Sequence, residues 1–230
     1  MPCTVALLAH TPHPDELVAA AARICYRDVT AEDLLAGERE SLSEALLDQL
    51  WQSGHLSTFE HASFTFAVDG LSRVASHQLV RHRMASFSQQ SQRYVRMTGS
   101  SVIVPPSVAD MPEAEALFRQ QAEASFAAYR RLIELGVPAE DARFILPHGW
   151  ETRLVLTMNA RELHHFFHLR LCRRAQWEIR ALARRMLVLC RQEAPVLFKK
   201  AGPSCIFGAC GEVKPCGRPF KDMEDLLVED

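Results

Sequence analysis

Residues 70–96 read GLSRVASHQLVRHRMASFSQQSQRYVR. Leu71, Ala75 and Leu79 are spaced as one buried helical stripe, which predicts a helix from Leu71 to about Arg83. Gln78 and Arg81, three residues apart, share another face of it. The SFSQQSQRY segment that follows lacks a helical apolar stripe. It reads as loop or irregular extended chain, the usual place for ligand contacts.

Charge singles out the same stretch. From Gly70 to Ala109 there is no Asp or Glu, yet Arg73, Arg81, Arg83, Arg93 and Arg96 fall within it. Those guanidiniums need anions, supplied either by carboxylates of distant segments or by a ligand. Arginine grips phosphate in a bidentate fork. Ser91, Gln89, Gln90, Gln92 and Tyr94 add neutral hydrogen-bonding groups that can fix a polar ring. The residues alone imply a pocket for phosphorylated, base-bearing small molecules.

Upstream, Thr4–Ala9 is a short apolar run that predicts a strand. His13-Pro14-Asp15 then caps a helix over Glu16–Tyr26, with Leu17, Ala20, Ala21 and Ile24 on its apolar face. A second helix is expected from about Ala31 to Ser53, with Leu42, Leu46, Leu47 and Leu50 at helical spacing and Gly54 ending it. His55–His61 is a polar turn, and Ser63–Val68 alternates as a strand does.

Downstream, Val102–Pro106 is extended and a long helix spans Pro112–Leu135, with Leu117, Phe118, Ala122, Phe126, Tyr129 and Leu132 at helical spacing. Thr152–Asn159 reads as a strand, and Ala160–Leu171 and Ala175–Arg191 as helices. Strands and helices do not alternate regularly enough for a doubly wound sheet, so the class is α+β. We expect one catalytic domain over residues 1–200 and an extension over 201–230, where AGPSCIFGACGEVKPCGRP cannot form a long helix.

Bulk properties exclude several classes. The net charge is −2, which gives no bulk attraction to nucleic acid or an anionic membrane. No apolar run reaches the length of about 18 residues that a membrane span needs. The opening MPCTVALLAH has neither the basic region nor the long apolar region of a secretory signal. Seven scattered cysteines fit reduced thiols, hence a cytoplasmic protein.

Arg81-His82-Arg83, seven residues, then Ser91-Gln92-Arg93-Tyr94 resembles the signature of flavin-dependent thymidylate synthases. His55-x-Ser-Thr-Phe-Glu60-His61, Asn159-Ala160-Arg161 and Ala175-Gln176-Trp177-Glu178-Ile179-Arg180 resemble that family in the same order, over roughly residues 3–200. The resemblance implies a central, mainly antiparallel sheet flanked by long helices, and a homotetramer with active sites shared between subunits. It also implies reductive methylation of dUMP, with methylenetetrahydrofolate as carbon donor and FAD, reduced by NADPH, as hydride source.

Residue by residue, the resemblance places dUMP contacts at Gln78, Leu79, Val80, Arg81, Gln89, Gln90, Ser91, Gln92, Arg93, Arg153 and Arg180. FAD contacts fall at His55, Ser57, Arg81, His82, Arg83, Gln89, His168, Leu169, Arg170 and Arg174. Arg180 would be catalytic, stabilising negative charge on the uracil ring; a solvated helix charge is the bland alternative. Ser91 is read as a ligand hydrogen bond rather than a nucleophile, because no base–orienter pair is visible. Two positions depart from the family: Gln89, where Glu is common, and His168, where Asn is common. No GxGxxG dinucleotide motif occurs, so FAD must be held another way.

Two readings stand outside the resemblance. The Arg/Gln/Tyr stretch could serve a single-stranded nucleic-acid or RNA-binding module, against which stand the net acidity and sparse aromatics. Cys172, Cys205, Cys210 and Cys216 could form an all-thiolate structural zinc site, although neither gap within the tail is the common CxxC and free thiols are the alternative. Cys3, Cys25 and Cys190 read as buried thiols.

Overall fold

The computed structural model describes residues 3–35, 44–99 and 101–228. Strand β1 (Thr4–His10) leads to helix α1 (Pro14–Tyr26), the short α2 (Ala31–Leu35), α3 (Glu44–Gln52) and a 3₁₀ turn at Leu56–His61. Strand β2 (Ser63–Ser72), α4 (Arg73–Leu79) and β3 (Ala85–Gln89) follow. Next come α5 (Pro106–Ala109), the long α6 (Pro112–Glu134), α7 (Ala139–Ala142) and β4 (Glu151–Asn159). The chain finishes with α8 (Ala160–Arg170), α9 (Trp177–Glu193), α10 (Ser204–Phe207) and α11 (Met223–Val228). The sheet is antiparallel with strand order β1-β2-β4-β3, as an α+β fold requires.

The chain divides into two compact units. The first gathers the opening residues to Thr4 with Val68–Arg81 and Phe87–Val155. The second gathers Val5–Ala67, His82–Ser86 and Leu156 to the end.

In the first unit, α6 buries Ala122, Phe126 and Tyr129. Phe126 and Tyr129 pack with Ala142 and Trp150, and Leu132, Val137 and Leu146 close over them. Leu117, placed by its spacing on the same stripe, is instead 65 % exposed. Helix α4 starts on Ser72, whose hydroxyl accepts from the Ala75 backbone N–H at 3.0 Å. Its predicted stripe of Leu71, Ala75 and Leu79 is fully buried, although the helix ends four residues before Arg83. Gly70, at φ 74 inside β2, occupies a conformation that strains any residue with a Cβ.

In the second unit, Phe64 and Phe66 of β2 point inward together with Leu156 and Met158 of β4. Thr65 and Thr157 share a hydroxyl hydrogen bond of 2.9 Å on the other face. Phe198 packs edge-on to Phe64 with centroids 5.2 Å apart. Asp15 is buried and accepts from the backbone N–H groups of Val196 and Leu197 at 3.2 and 2.9 Å. This fastens the start of α1 to the segment after α9.

That fastening corrects the expected face of α1. Val18, Ala19 and Ala22 are buried with Asp15, whereas Leu17 and Ile24 are exposed. With Asp15 fastened inside, the buried face runs through Pro14, Asp15, Val18, Ala19 and Ala22 instead. Cys25, expected to be buried, is exposed on the outward side, while Cys3 and Cys190 are buried. In the expected Ala31–Ser53 helix, Leu47 and Leu50 are buried in α3 and Leu42 lies outside the described residues.

The second difference is β3. The segment read as irregular begins with a strand whose Ala85, Phe87 and Gln89 are half-buried and whose Ser86 and Ser88 are exposed. The alternation is present, but it is carried by small and polar residues at the edge of the sheet. Apolar patterning therefore misses it.

Candidate active site

The first unit holds a pocket of about 270 Å³ lined by Gln90, Arg96, Ser101, Trp150, Thr152 and Arg153, among others. Gln90 and Arg153 are expected site residues; the backbone N–H of Gln90 donates to the Arg153 carbonyl at 2.9 Å. Arg96 was not among the expected site residues. Its signal was its place in the acid-free stretch, where it makes no ion pair among the described residues. Glu151 shares the wall, with its carboxylate engaged by the Ser101 hydroxyl.

The neighbours of this pocket are internally braced. The Gln89 side-chain amide donates to the hydroxyls of Ser76 at 3.1 Å and Thr152 at 3.0 Å. A Glu at this position would have no N–H to give, so the Gln locks α4, β3 and β4 together as a donor. Ser91 Oγ accepts from the Arg93 backbone N–H at 3.2 Å, and the Ser91 carbonyl from Val95, so Ser91 closes a turn. Gln92 is buried, as is Leu79, while Val80 is exposed at the end of α4. Gln78 is half-buried and Arg81 exposed. Tyr94 is 80 % exposed, with the Arg93 guanidinium 5.5 Å from its ring centroid.

Two of the expected anion-binding arginines have carboxylates from distant segments. Arg93 pairs with Glu140, its Nε and Nη2 at 2.9 and 2.8 Å from one carboxylate oxygen. Arg153 lies 3.6 Å from Asp69. Both pairs are exposed and readily exchanged for another anion.

The second unit holds a larger cavity of about 840 Å³. Trp51, Leu56, Met84 and Phe207 give it apolar walls. Glu60, Asn159, Arg161, Glu162, His164, His165 and His168 supply the polar groups. Of the expected flavin contacts, His168 lines it directly. His55 and Ser57 are exposed on either side of Leu56, and Arg83 is exposed beside Met84. His55 Nδ1 is hydrogen-bonded to the Tyr26 hydroxyl, and the two rings stack at 6.2 Å.

One polar chain in this unit is fixed without a ligand. Arg170 Nε donates to His82 Nε2 at 3.0 Å, and His82 Nδ1 lies 2.9 Å from Glu162 Oε1. A guanidinium can only donate. Nε2 must therefore carry the lone pair and Nδ1 the proton, which goes to Glu162. Burial holds His82 below its usual pKa, opposed by Glu162 and reinforced by Arg170. The middle residue of Arg-His-Arg is thus a 4 % exposed spacer that orients Arg170. Leu169 beside it is 39 % exposed.

Glu162 was not among the expected site residues. Its sequence signal, three residues after the N-cap Asn159, is that of a capping residue. Asn159 does cap α8, accepting from the Glu162 N–H at 2.9 Å, but the Glu162 carboxylate turns to His82. His82, Glu162 and His165 also bring three donor atoms within 4.8 Å of one another. Both nitrogens of His82 are committed, so a cation there would have to displace Arg170 or Glu162.

Arg180 belongs to the second unit. Gln176 caps α9 by accepting from the N–H groups of Glu178 and Ile179 at 3.0 and 3.1 Å. Arg180, one turn on, donates from Nη1 to the Arg173 carbonyl at 3.0 Å and the Ala175 carbonyl at 3.4 Å. Those bonds use one of its three nitrogens and hold the guanidinium against the turn before α9. Arg174 is bound to Glu212 and to the Lys214 carbonyl at 2.8 and 2.9 Å.

The comparisons with known proteins agree with one another. Residues 6–196 match the model of a family described as thymidylate synthase complementing protein. A Geobacter sulfurreducens protein named flavin-dependent thymidylate synthase is 54 % identical over 232 residues, covering 95 % of this chain and 98 % of that one. One from Clostridium tetani with the same name is 43 % identical, covering 93 % of each. Among solved structures, a UMP/dUMP methylase from Streptomyces cacaoi, bound with 5-Br dUMP, superposes with a TM-score of 0.75 at 29 % identity. That match covers 86 % of this chain and 93 % of the other.

Proposed function

The chain belongs to the flavin-dependent thymidylate synthase family, and from that premise we propose that it converts dUMP to dTMP. The observation that carries the reading is the pocket lined by Gln90, Arg153 and Arg96, set in a stretch whose arginines outnumber their carboxylates. A nucleotide monophosphate supplies the missing anion, and its uracil edge suits the Gln90 amide.

Methylenetetrahydrofolate is the carbon donor: its methylene bonds to uracil C5, the C5 proton leaves, the bonds from the methylene to the folate nitrogens break and release tetrahydrofolate, and one hydride completes the methyl group. Bound FAD, reduced by NADPH, supplies that hydride. The second unit's cavity suits a flavin. Its volume falls in the range of cofactor pockets, and Trp51 and Phe207 offer flat apolar walls. His164 Nδ1, on its lining, is buried with no hydrogen-bond partner.

The chain's own residues then position and stabilise. Arg81, Arg83, His168, Leu169, Arg170 and Arg174 are assigned to flavin, with Arg170 aimed by the Glu162–His82 pair. Gln78, Leu79, Val80, Arg81 and Gln89–Arg93 are assigned to dUMP, with Leu79 limited to its backbone by burial. Arg180 meets negative charge developing on the uracil, a role in which a fixed guanidinium needs no reorganisation. A homotetramer belongs to the same reading, as the family resemblance implies. So does a cytoplasmic setting, supported by seven free thiols. Residues 1–200 would carry the catalysis and 201–230 would be an added segment.

The test is turnover. Purified protein loaded with FAD should release tritium from 5-tritiated dUMP and form dTMP, dependent on both methylenetetrahydrofolate and NADPH. Protein that takes up neither FAD nor dUMP but binds single-stranded oligonucleotides would overturn the proposal.

A further inference from the structure

Four of the seven cysteines come together in a place the methylation chemistry does not use. Cys172, in the turn between α8 and α9, lines a second cavity of about 220 Å³ with Cys205, Cys210 and Cys216 from the tail. The two segments are separated by the whole of α9. Arg173, Arg218 and Glu212 line the same cavity. We propose that this cavity is a structural zinc site closed by those four thiolates.

Two further observations point to a metal. The first is backbone geometry. The Arg218 N–H donates to Cys216 Sγ at 3.4 Å across Gly217, whose φ of 73 makes that turn possible. The Arg174 N–H does the same for Cys172, again two residues on. N–H groups aimed at sulfur from two residues ahead stabilise thiolate rather than thiol, the outer support that metal-bound sulfurs use.

The second is the tail itself. From Gly208 to Pro219 it has no regular helix or strand, and nearly every residue is exposed, with Val213 at 97 %. So little burial cannot hold twelve residues in one path. Beyond Arg174's grip on Glu212 and Lys214 and the Gly211 N–H bond to the Ser204 hydroxyl at 3.1 Å, the cysteines are the groups placed to add to that hold.

A divalent cation would bind all four as thiolates with release of their protons. Among the described residues no three of these sulfurs yet lie within 4.8 Å of one another. A tetrahedral site with Zn–S of about 2.3 Å puts them roughly 3.8 Å apart, so binding draws the tail inward.

The site has four protein ligands and no open position, which makes it structural. It still bears on the flavin cavity. His168 and Ser204 line both spaces, and Phe207, Gly208 and Ala209, between the first two tail cysteines, line the larger one. Zinc would therefore fix one wall of the cavity assigned to FAD.

The experiment is elemental analysis and native mass spectrometry of the full chain purified under reducing conditions. We expect about one zinc per chain, near zero in Cys210→Ser and Cys216→Ser, and an unchanged value in Cys25→Ser, which alters an exposed thiol elsewhere. Chelation of the wild type should raise amide hydrogen exchange over residues 205–219 while α6 keeps its protection, so that loss of the clamp is separable from unfolding. Three results would overturn the proposal: reduced protein that holds no zinc and takes none from a zinc buffer, a disulfide joining any two of the four cysteines in freshly isolated protein, or unchanged exchange in the tail on chelation.

Discussion

The Arg93–Glu140 pair and the Glu162–His82–Arg170 chain use the same kinds of side chain in opposite ways. Arg93 and Glu140 are about half exposed, and water is ready to replace either partner. His82 and Glu162 are 3 % and 11 % exposed, and every hydrogen they share has one place to go. The first arrangement can trade its carboxylate for a phosphate at little cost. The second cannot be broken without leaving a buried group unpaired. Under the proposed assignments, the first arrangement suits a substrate that comes and goes and the second a cofactor that stays.

Substitutions can break or sharpen that contrast. The largest effect is expected at Arg180, which is braced like the frame but assigned to the chemistry. Arg180→Ala should lower the rate of dTMP formation on the order of 10²–10³-fold, with the Tm little changed. Steady-state kinetics beside a melting curve would separate the two, and an unimpaired rate would remove Arg180 from catalysis.

His164 extends the locked side to pH. Burial lowers its pKa from 6.5 to about 4, against its hydrogen bond to the Leu197 carbonyl. The unfolded chain therefore binds this proton below about pH 6.5 and the folded chain only below about pH 4. Stability from the neutral imidazole is complete above that window and is lost as pH falls through it, on the order of 3 kcal/mol in all. Urea unfolding at pH 7.5 and pH 5 should show the loss, and His164→Gln should flatten the slope.

Glu162→Ala tests the frame directly. Stranding the buried His82 should cost about 2 kcal/mol of folding stability and loosen FAD, read as the fraction of flavin retained through gel filtration. A variant as stable and as yellow as the wild type would reduce the relay to a packing accident. The smallest effect belongs to Glu140→Gln. Freed from its partner, Arg93 should bind dUMP a few-fold more tightly, with no measurable change in melting and a steeper loss of affinity as salt rises.

How much of this was legible depends on what carried the signal. The Leu71, Ala75 and Leu79 stripe and the alternating Phe64 and Phe66 are apolar periodicities, and the structure follows them. Strand β3 was hidden because its inward positions include Gln89, whose burial is satisfied by Ser76 and Thr152 from two distant segments. The rotated face of α1 was hidden for the same reason, since Asp15 is buried against amides some 180 residues later. Arg153 could be nominated only through the family motifs, because its partners Asp69 and Gln90 lie far away in the chain; Arg180 sits in a local turn, and only the resemblance lifts it above a helix charge. Arg96 was in plain view as uncompensated charge, whereas Glu162 gave no sign in the sequence that it would turn to His82.

The Thr65–Thr157 pairing has a consequence for how the protein is made. Its two partners are 92 residues apart, and the Asp15 clamp spans 182. At roughly 5–20 residues per second of synthesis, β2 leaves the ribosome roughly five to twenty seconds before β4 exists to pair with it. Neither unit is a continuous stretch of chain, and the second draws on Leu156 onward, so it cannot be completed until the first unit's residues have all been made. Phe64 waits through that interval and longer still, until Phe198 is made and meets it edge-on.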